Sequence, residues 1–371
     1  MCATAFLLML GLGVLFPVLP FYVRWLRLSE FQAGLLIACY AGMSVLTAPL
    51  WGRFSQRFGR KPAILIGLIG FSVGFGLFSI GSTFAELLGA RILGGFFAAA
   101  AMPAIFAYAA DVSRPESRAQ AMGAVGASIG LGVLVGPVIG GLLSPLGLRV
   151  PFMASSAIGA FAAVAVAFGL PESRVSSRDR AEPGRSMQVA RRLAPYLLVA
   201  FGLQTARMAL ESTIGFVAGD RVGANARDVG LLLGALGVIA VAVQGGIRPL
   251  SARFGDRRLL LTGIVLGAIG LVGIGRATSW PAFYATGGVL SFGFALVLPS
   301  FNAILSRAAE DVQGEAQGLK SSAESLGRVV GPLVFTAGYQ AVGAPLPFAG
   351  AGALCLLAGI LAFAAVGRRE G

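Results

Sequence analysis

Glu211 and Glu324 are the two carboxylates that fall deep inside long apolar stretches of this sequence, and each has an arginine four residues away. On a helix turning 100° per residue, Gln204, Arg207 and Glu211 lie within about 60° of one another, a polar stripe on an otherwise apolar surface. Arg207 and Glu211 form an i, i+4 pair. Glu324, Gly327, Arg328 and Gly331 share one face in the same way, with Glu324 and Arg328 again four apart. A charge held in hydrocarbon costs about 2.5 to 3.5 kcal/mol, so each one retained needs a reason. Burial disfavours a carboxylate and a neighbouring arginine favours it. A group balanced between the two can take up and release a proton as its access to water changes. Proton coupling, first at Glu211 and then at Glu324, is the chemistry on offer; the alternative is two static ion pairs that tie helices together. Arg91 is a further intramembrane charge. Glu86, five residues away, lies near the end of its helix, so Arg91 either orients an acid or water or bonds backbone carbonyls.

Positioning such groups requires helices that cross a bilayer. The chain has 371 residues, of which 56% are hydrophobic and 12% charged, with a mean hydropathy of +0.83. About 25% charge is ordinary for soluble domains. A spanning helix needs roughly 20 apolar residues, and twelve stretches meet that need: 3–23, 31–51, 62–81, 86–108, 120–143, 150–170, 193–217, 229–249, 259–276, 281–305, 317–340 and 347–366. The first stretch has no basic leader and no small-residue cleavage site, and it contains Pro17 and Pro20, so it reads as a retained helix. The net charge of +13 is explained by topology. With the N-terminus inside, nineteen basic residues fall in inner loops and the tail, six (Arg24, Arg27, Arg149, Arg221, Arg227, Arg276) in outer loops, and four (Arg91, Arg207, Lys320, Arg328) in helices. That asymmetry places both termini in the cytoplasm and removes the case for nucleic-acid binding. Cys2, Cys39 and Cys355 are in apolar surroundings and there is no histidine, which argues against disulfides, a metal site or any cofactor. With no nucleophile motif in a polar setting, an enzyme is not expected.

The chain divides into a six-helix bundle at 1–170, a cytoplasmic linker at 171–192 and a second bundle at 193–371. The halves repeat. Gly123, Gly132, Gly136 and Pro137 recur as Gly318, Gly327, Gly331 and Pro332, offset by 195; Arg57, Phe58 and Gly59 recur as Arg253, Phe254 and Gly255, and Pro103 as Pro299, offset by 196. Six spans separate equivalent points, so the repeat is parallel. The fold expected is therefore an all-α membrane protein, twelve transmembrane helices in two parallel pseudo-repeated bundles around a central cavity. Gly132, Gly136 and Gly140, with Gly141 beside them, make a stripe on which another helix can lie closely, and Pro137 adds a bend. Met102 and Phe106 on the fourth stretch, Tyr284, Ser291 and Asn302 on the tenth, and Gln204 on the seventh are candidates for a tolerant substrate cavity, or else are helix packing.

Several of these segments resemble the major facilitator superfamily, and within it the twelve-helix drug:proton antiporters that include the tetracycline exporters. The loop GRFSQRFGRK from Gly52 to Lys61, with Gly52, Arg57, Gly59 and Arg60, is similar to the family's signature loop. ARILGGFFAAAAMP, with Arg91 and Gly95, resembles its second motif, and GAVGASIGLGVLVGPVIGG from Gly123 to Gly141 matches the spacing of the antiporter motif. GLGVLFPVLPFY and ADVSRPESRAQAMG add agreement, and the resemblance runs along essentially the whole chain. Two departures stand out: Gln56 occupies the place of the signature loop's aspartate, and Leu8 that of an acid found in tetracycline exporters. The resemblance implies a monomeric secondary transporter in a bacterial inner membrane, working by alternating access. Its partners would be lipid, protons and small organic compounds exported in exchange. The alternatives are an importer or facilitator of metabolites, or a non-transporting receptor.

Overall fold

A segment in hydrocarbon must satisfy its backbone hydrogen bonds within itself. The computed structural model describes residues 1–173 and 185–367, and among them the secondary structure is helical, without a strand. Twelve long helices follow in order: α1 Cys2–Trp25, α2 Glu30–Phe58, α3 Arg60–Ile80, α4 Phe84–Val112, α5 Arg118–Leu143, α6 Val150–Gly169, α7 Arg185–Val222, α8 Ala226–Gly245, α9 Asp256–Arg276, α10 Trp280–Ala308, α11 Gln313–Val342 and α12 Pro345–Gly367. A short helix, Ile247–Phe254, precedes α9. α1 is interrupted at Val14, because Pro17 has no N–H to offer Gly13. Reciprocal capping boxes start α2 (Ser29 with Gln32) and α4 (Thr83 with Glu86).

Eleven of these helices are long and apolar enough to cross a membrane. α11 is the exception, since its span carries Lys320, Glu324 and Arg328. Large apolar side chains stand exposed, Phe168 at 89%, Leu46 at 75% and Leu146 at 72%, a surface suited to lipid. Polar side chains tie helices by donating to carbonyls: Ser44 to Gly95 and Trp51 to Phe96 join α2 to α4, and Ser155 to Gly11 joins α6 to α1.

The chain forms two compact units, Met1–Asp179 with Ala224–Gly234, and Arg180–Gly223 with Ala235–Gly371. The start of α8 clusters with the first unit because its glycines pack on α5: a Cβ on Gly230 would stand 2.5 Å from the Pro137 carbonyl oxygen. Residues 185–192, expected in the linker, form the first turns of α7, and Arg192 there makes two hydrogen bonds to the Asp311 carboxylate at 2.7 and 3.0 Å. Linker residues 174–184 lie outside the described residues.

The internal repeat is visible contact by contact. A Cβ on Gly132 would meet the Phe6 carbonyl oxygen, Met9 Cβ and the Leu10 nitrogen; one on Gly327 would meet the Phe201 carbonyl oxygen, Gln204 Cβ and the Thr205 nitrogen. Each pair is offset by 195, so α5 lies on α1 as α11 lies on α7.

Candidate functional site

Two helices of the second unit carry the predicted charges. On α7, Arg207 Nε donates to Glu211 Oε1 at 2.7 Å, the i, i+4 pair expected from spacing. The Arg207 side chain is 44% exposed and that of Glu211 17%. On α11 the pairing differs from expectation. Glu324 binds Lys320, not Arg328, with Nζ to Oε1 at 2.8 Å and the lysine only 8% exposed. Arg328 is exposed, donates to Ser325 Oγ at 2.9 Å, and is near enough to Glu324, Arg207 and Glu211 to interact with all three electrostatically. Glycine determines this proximity: Gly327 and Gly331 have no side chain to hold α11 away from α7, and a Cβ on Gly331 would stand 2.9 Å from the Thr205 carbonyl oxygen. The result is three cations and two carboxylates in one patch of helix surface. Lys320 was missed as a partner in the sequence, although it stands four residues before Glu324.

In the first unit Arg91 is 3% exposed. Its guanidinium carbon lies 4.0 Å from the ring centroid of Phe78, 4.8 Å from Phe75 and 5.8 Å from Tyr40. Those rings come from α2 and α3, and cation–π attraction stabilises the charge without an acid. Arg91 Nε and Nη2 and the Tyr40 hydroxyl are buried and have no hydrogen-bond partner among the described residues.

The cavity candidates lie on three helices, α7, α4 and α10. Gln204 is half-buried with its Cβ against Gly327. Met102 and Phe106 are half-buried on α4. On α10, Tyr284 is 42% exposed and lies against the Trp280 ring, Ser291 donates to the Leu236 carbonyl of α8, and the Asn302 Oδ1 is buried without a partner among the described residues.

The signature loop gathers several groups. Gly59, at φ +108, turns the chain from α2 into α3, and a Cβ there would stand 2.8 Å from the Glu172 carboxylate. Glu172 Oε1 accepts from the Arg60 and Lys61 backbone nitrogens at 2.9 and 3.2 Å, a cap for α3 supplied from beyond α6. Arg60 bonds Asp111 at 3.1 Å and Ser55 at 3.1 Å. Gln56 is exposed, Arg57 stacks over Phe58, and Gly52 faces open space. In the glycine stripe, Cβ atoms on Gly132, Gly136 and Gly140 would each stand 2.6 Å from a carbonyl oxygen of α1, at Phe6, Leu10 and Val14. Pro137 is buried beside them, Gly141 abuts Gly230, and Gly123 meets nothing.

Comparison with known proteins agrees with this architecture. The Major Facilitator Superfamily model matches residues 1–247 and 196–371. The chain is 32% identical to "Multidrug resistance protein 2" of Bacillus subtilis over 88% of its length and 84% of that protein's. It is also 32% identical to "Tetracycline resistance protein, class C" of Escherichia coli, over 89% and 86%. Among solved structures, a bacterial homologue of the human lysosomal transporter Spinster, inward-facing and occupied, superimposes with a TM-score of 0.82 at 15% identity, covering 98% of this chain and 95% of that one. The protein is a multi-pass membrane transporter of small molecules, not an enzyme, and it belongs to the Major Facilitator Superfamily.

Proposed function

We propose that this protein exports small, mostly apolar organic compounds across a bacterial inner membrane in exchange for protons, by alternating access, with Glu211 carrying the proton. Both termini lie in the cytoplasm, a reading that the distribution of basic residues supports, and the working unit is a monomer. The names of its relatives, a multidrug and a tetracycline resistance protein, support efflux as the direction.

The observation that carries the reading is the unequal pairing of the two intramembrane carboxylates. Glu324 is held by a buried lysine on its own helix, whereas Glu211 is held by an arginine that is itself accessible and that shares its surroundings with Arg328. A carboxylate whose partner reaches water and a competing charge is the one able to exchange a proton. A proton on Glu211 removes its charge from Arg207 and changes the balance of the patch. Substrate and proton then occupy the transporter in alternation.

The Glu211→Gln protein, reconstituted in vesicles, is expected to insert normally and to lose substrate-driven proton movement. Coupling that survives this substitution removes Glu211 from the mechanism.

A further inference from the structure

The Arg91 cage has no use in the exchange just described, and it differs from its counterpart in the other half. At an offset of 196, Arg91, Tyr40, Phe75 and Phe78 correspond to Gly287, Leu236, Leu271 and Ile274. In that second copy a Cβ on Gly287 would touch the Leu236 side chain at 3.0 Å, and Leu271 and Ile274 are fully buried. Aliphatic side chains therefore fill these places in one half, where the Leu236 carbonyl also accepts from Ser291. In the other half a cation and three aromatic rings take the same places, so helix packing does not account for them.

The unfilled hydrogen-bonding capacity says what the cage lacks. Cation–π contacts act on the faces of the guanidinium, but its N–H groups donate in the plane. Arg91 Nε and Nη2 are buried without an acceptor, and so is the nearby Tyr40 hydroxyl. No carboxylate of the described residues bonds Arg91. Such a cradle is donor-rich and positively charged. A water accepting from it would have to turn its own hydrogens toward a cation and rings already occupied by that cation, whereas an anion only accepts.

We propose that the Arg91–Tyr40 cradle binds an anion, either a small inorganic ion or the acidic group of an organic molecule. Bound there, the anion neutralises the buried guanidinium and ties α4 to α2.

The test uses the full chain in lipid nanodiscs, dialysed into sodium gluconate and then given sodium chloride, sodium bromide or 2-naphthalenesulfonate at constant ionic strength. Chloride and bromide are expected to raise the unfolding temperature by about 2 °C or more, and crystals grown in bromide to show its anomalous signal beside Arg91 Nε. A shift with the sulfonate alone assigns the site to the acid group of an organic ligand. In Arg91→Gln the shift is expected to vanish, and in Tyr40→Phe to diminish. No shift with any of the three anions overturns the proposal, as does a shift undiminished in Arg91→Gln. If Arg91→Gln does not fold, crystals of the unmodified protein grown in bromide and in 2-naphthalenesulfonate decide, and the absence of both anions from the cradle overturns the proposal.

Discussion

The two repeats share a skeleton and differ in what it carries. Glycines hold α5 against α1 and α11 against α7 in the same register. Yet where the second half has Gln204, Arg207, Glu211, Lys320, Glu324 and Arg328, the first has Met9, Leu12, Phe16, Val125, Ile129 and Val133. The first half has its own polar device, Arg91 in its rings, where the second is aliphatic. A second contrast lies at the loop after the second helix of each half. The first half bonds Ser55 and Asp111 to Arg60; the second bonds Ser251 and Arg307 to Asp256, the same three places with the charges exchanged. Asp256 opens α9 and Arg307 closes α10, both in accord with the helix dipoles, whereas Arg60 opens α3 and Asp111 closes α4 against them. The first half makes up the missing negative charge with Glu172. Helix contact is thus common to both halves, and charge is placed independently in each.

The shared skeleton should be the most sensitive to change. Gly136→Ala forces a Cβ onto backbone atoms of α1, and Gly331→Ala forces one against the Met208 Cβ of α7, an atom fixed by its backbone; each is expected to cost about 3 kcal/mol, read by thermal unfolding. Clearly unequal losses would mean that the two contacts differ. Next comes the exchanged pair, whose side chains are only 12% and 15% exposed in the first half. Arg60→Asp alone should cost about 2 kcal/mol, and adding Asp111→Arg should restore most of it. In the unmodified protein Glu172→Gln should cost up to about 1 kcal/mol, and almost nothing in the exchanged double variant, where Asp at position 60 meets the dipole itself. The smallest effects are expected at Gly123→Ala and Gly318→Ala. Both positions face open space, so each should gain a few tenths to about 1 kcal/mol of helix propensity.

Much of this was legible in the residues. Apolar stretches located the twelve helices, and glycine spacing located the two close contacts, because both depend on local periodicity. Arg207 with Glu211 was legible for the same reason. Glu324 was not, since it has a cation four residues away on either side. The order of charges along a helix favours Arg328 over Lys320, but Arg328 lies near Arg207 and Glu211 of α7 and bonds Ser325, a tertiary effect that spacing does not contain. The rings around Arg91 and the Glu172 cap come from distant segments, and no local pattern announces them. Gly123 was legible as a motif position, but only the structure reveals that it packs against nothing.

The charges of α11 also bear on how the chain is made. Three charges in one span oppose insertion by roughly 8 to 10 kcal/mol, and the Lys320–Glu324 pair offsets only part of that. Synthesis delivers α7 to the bilayer first, with Arg207 and Glu211 already displayed on it. α11 is therefore the span that gains most from a helix placed before it, and α7, on which its Gly327 and Gly331 lie, precedes it in the chain.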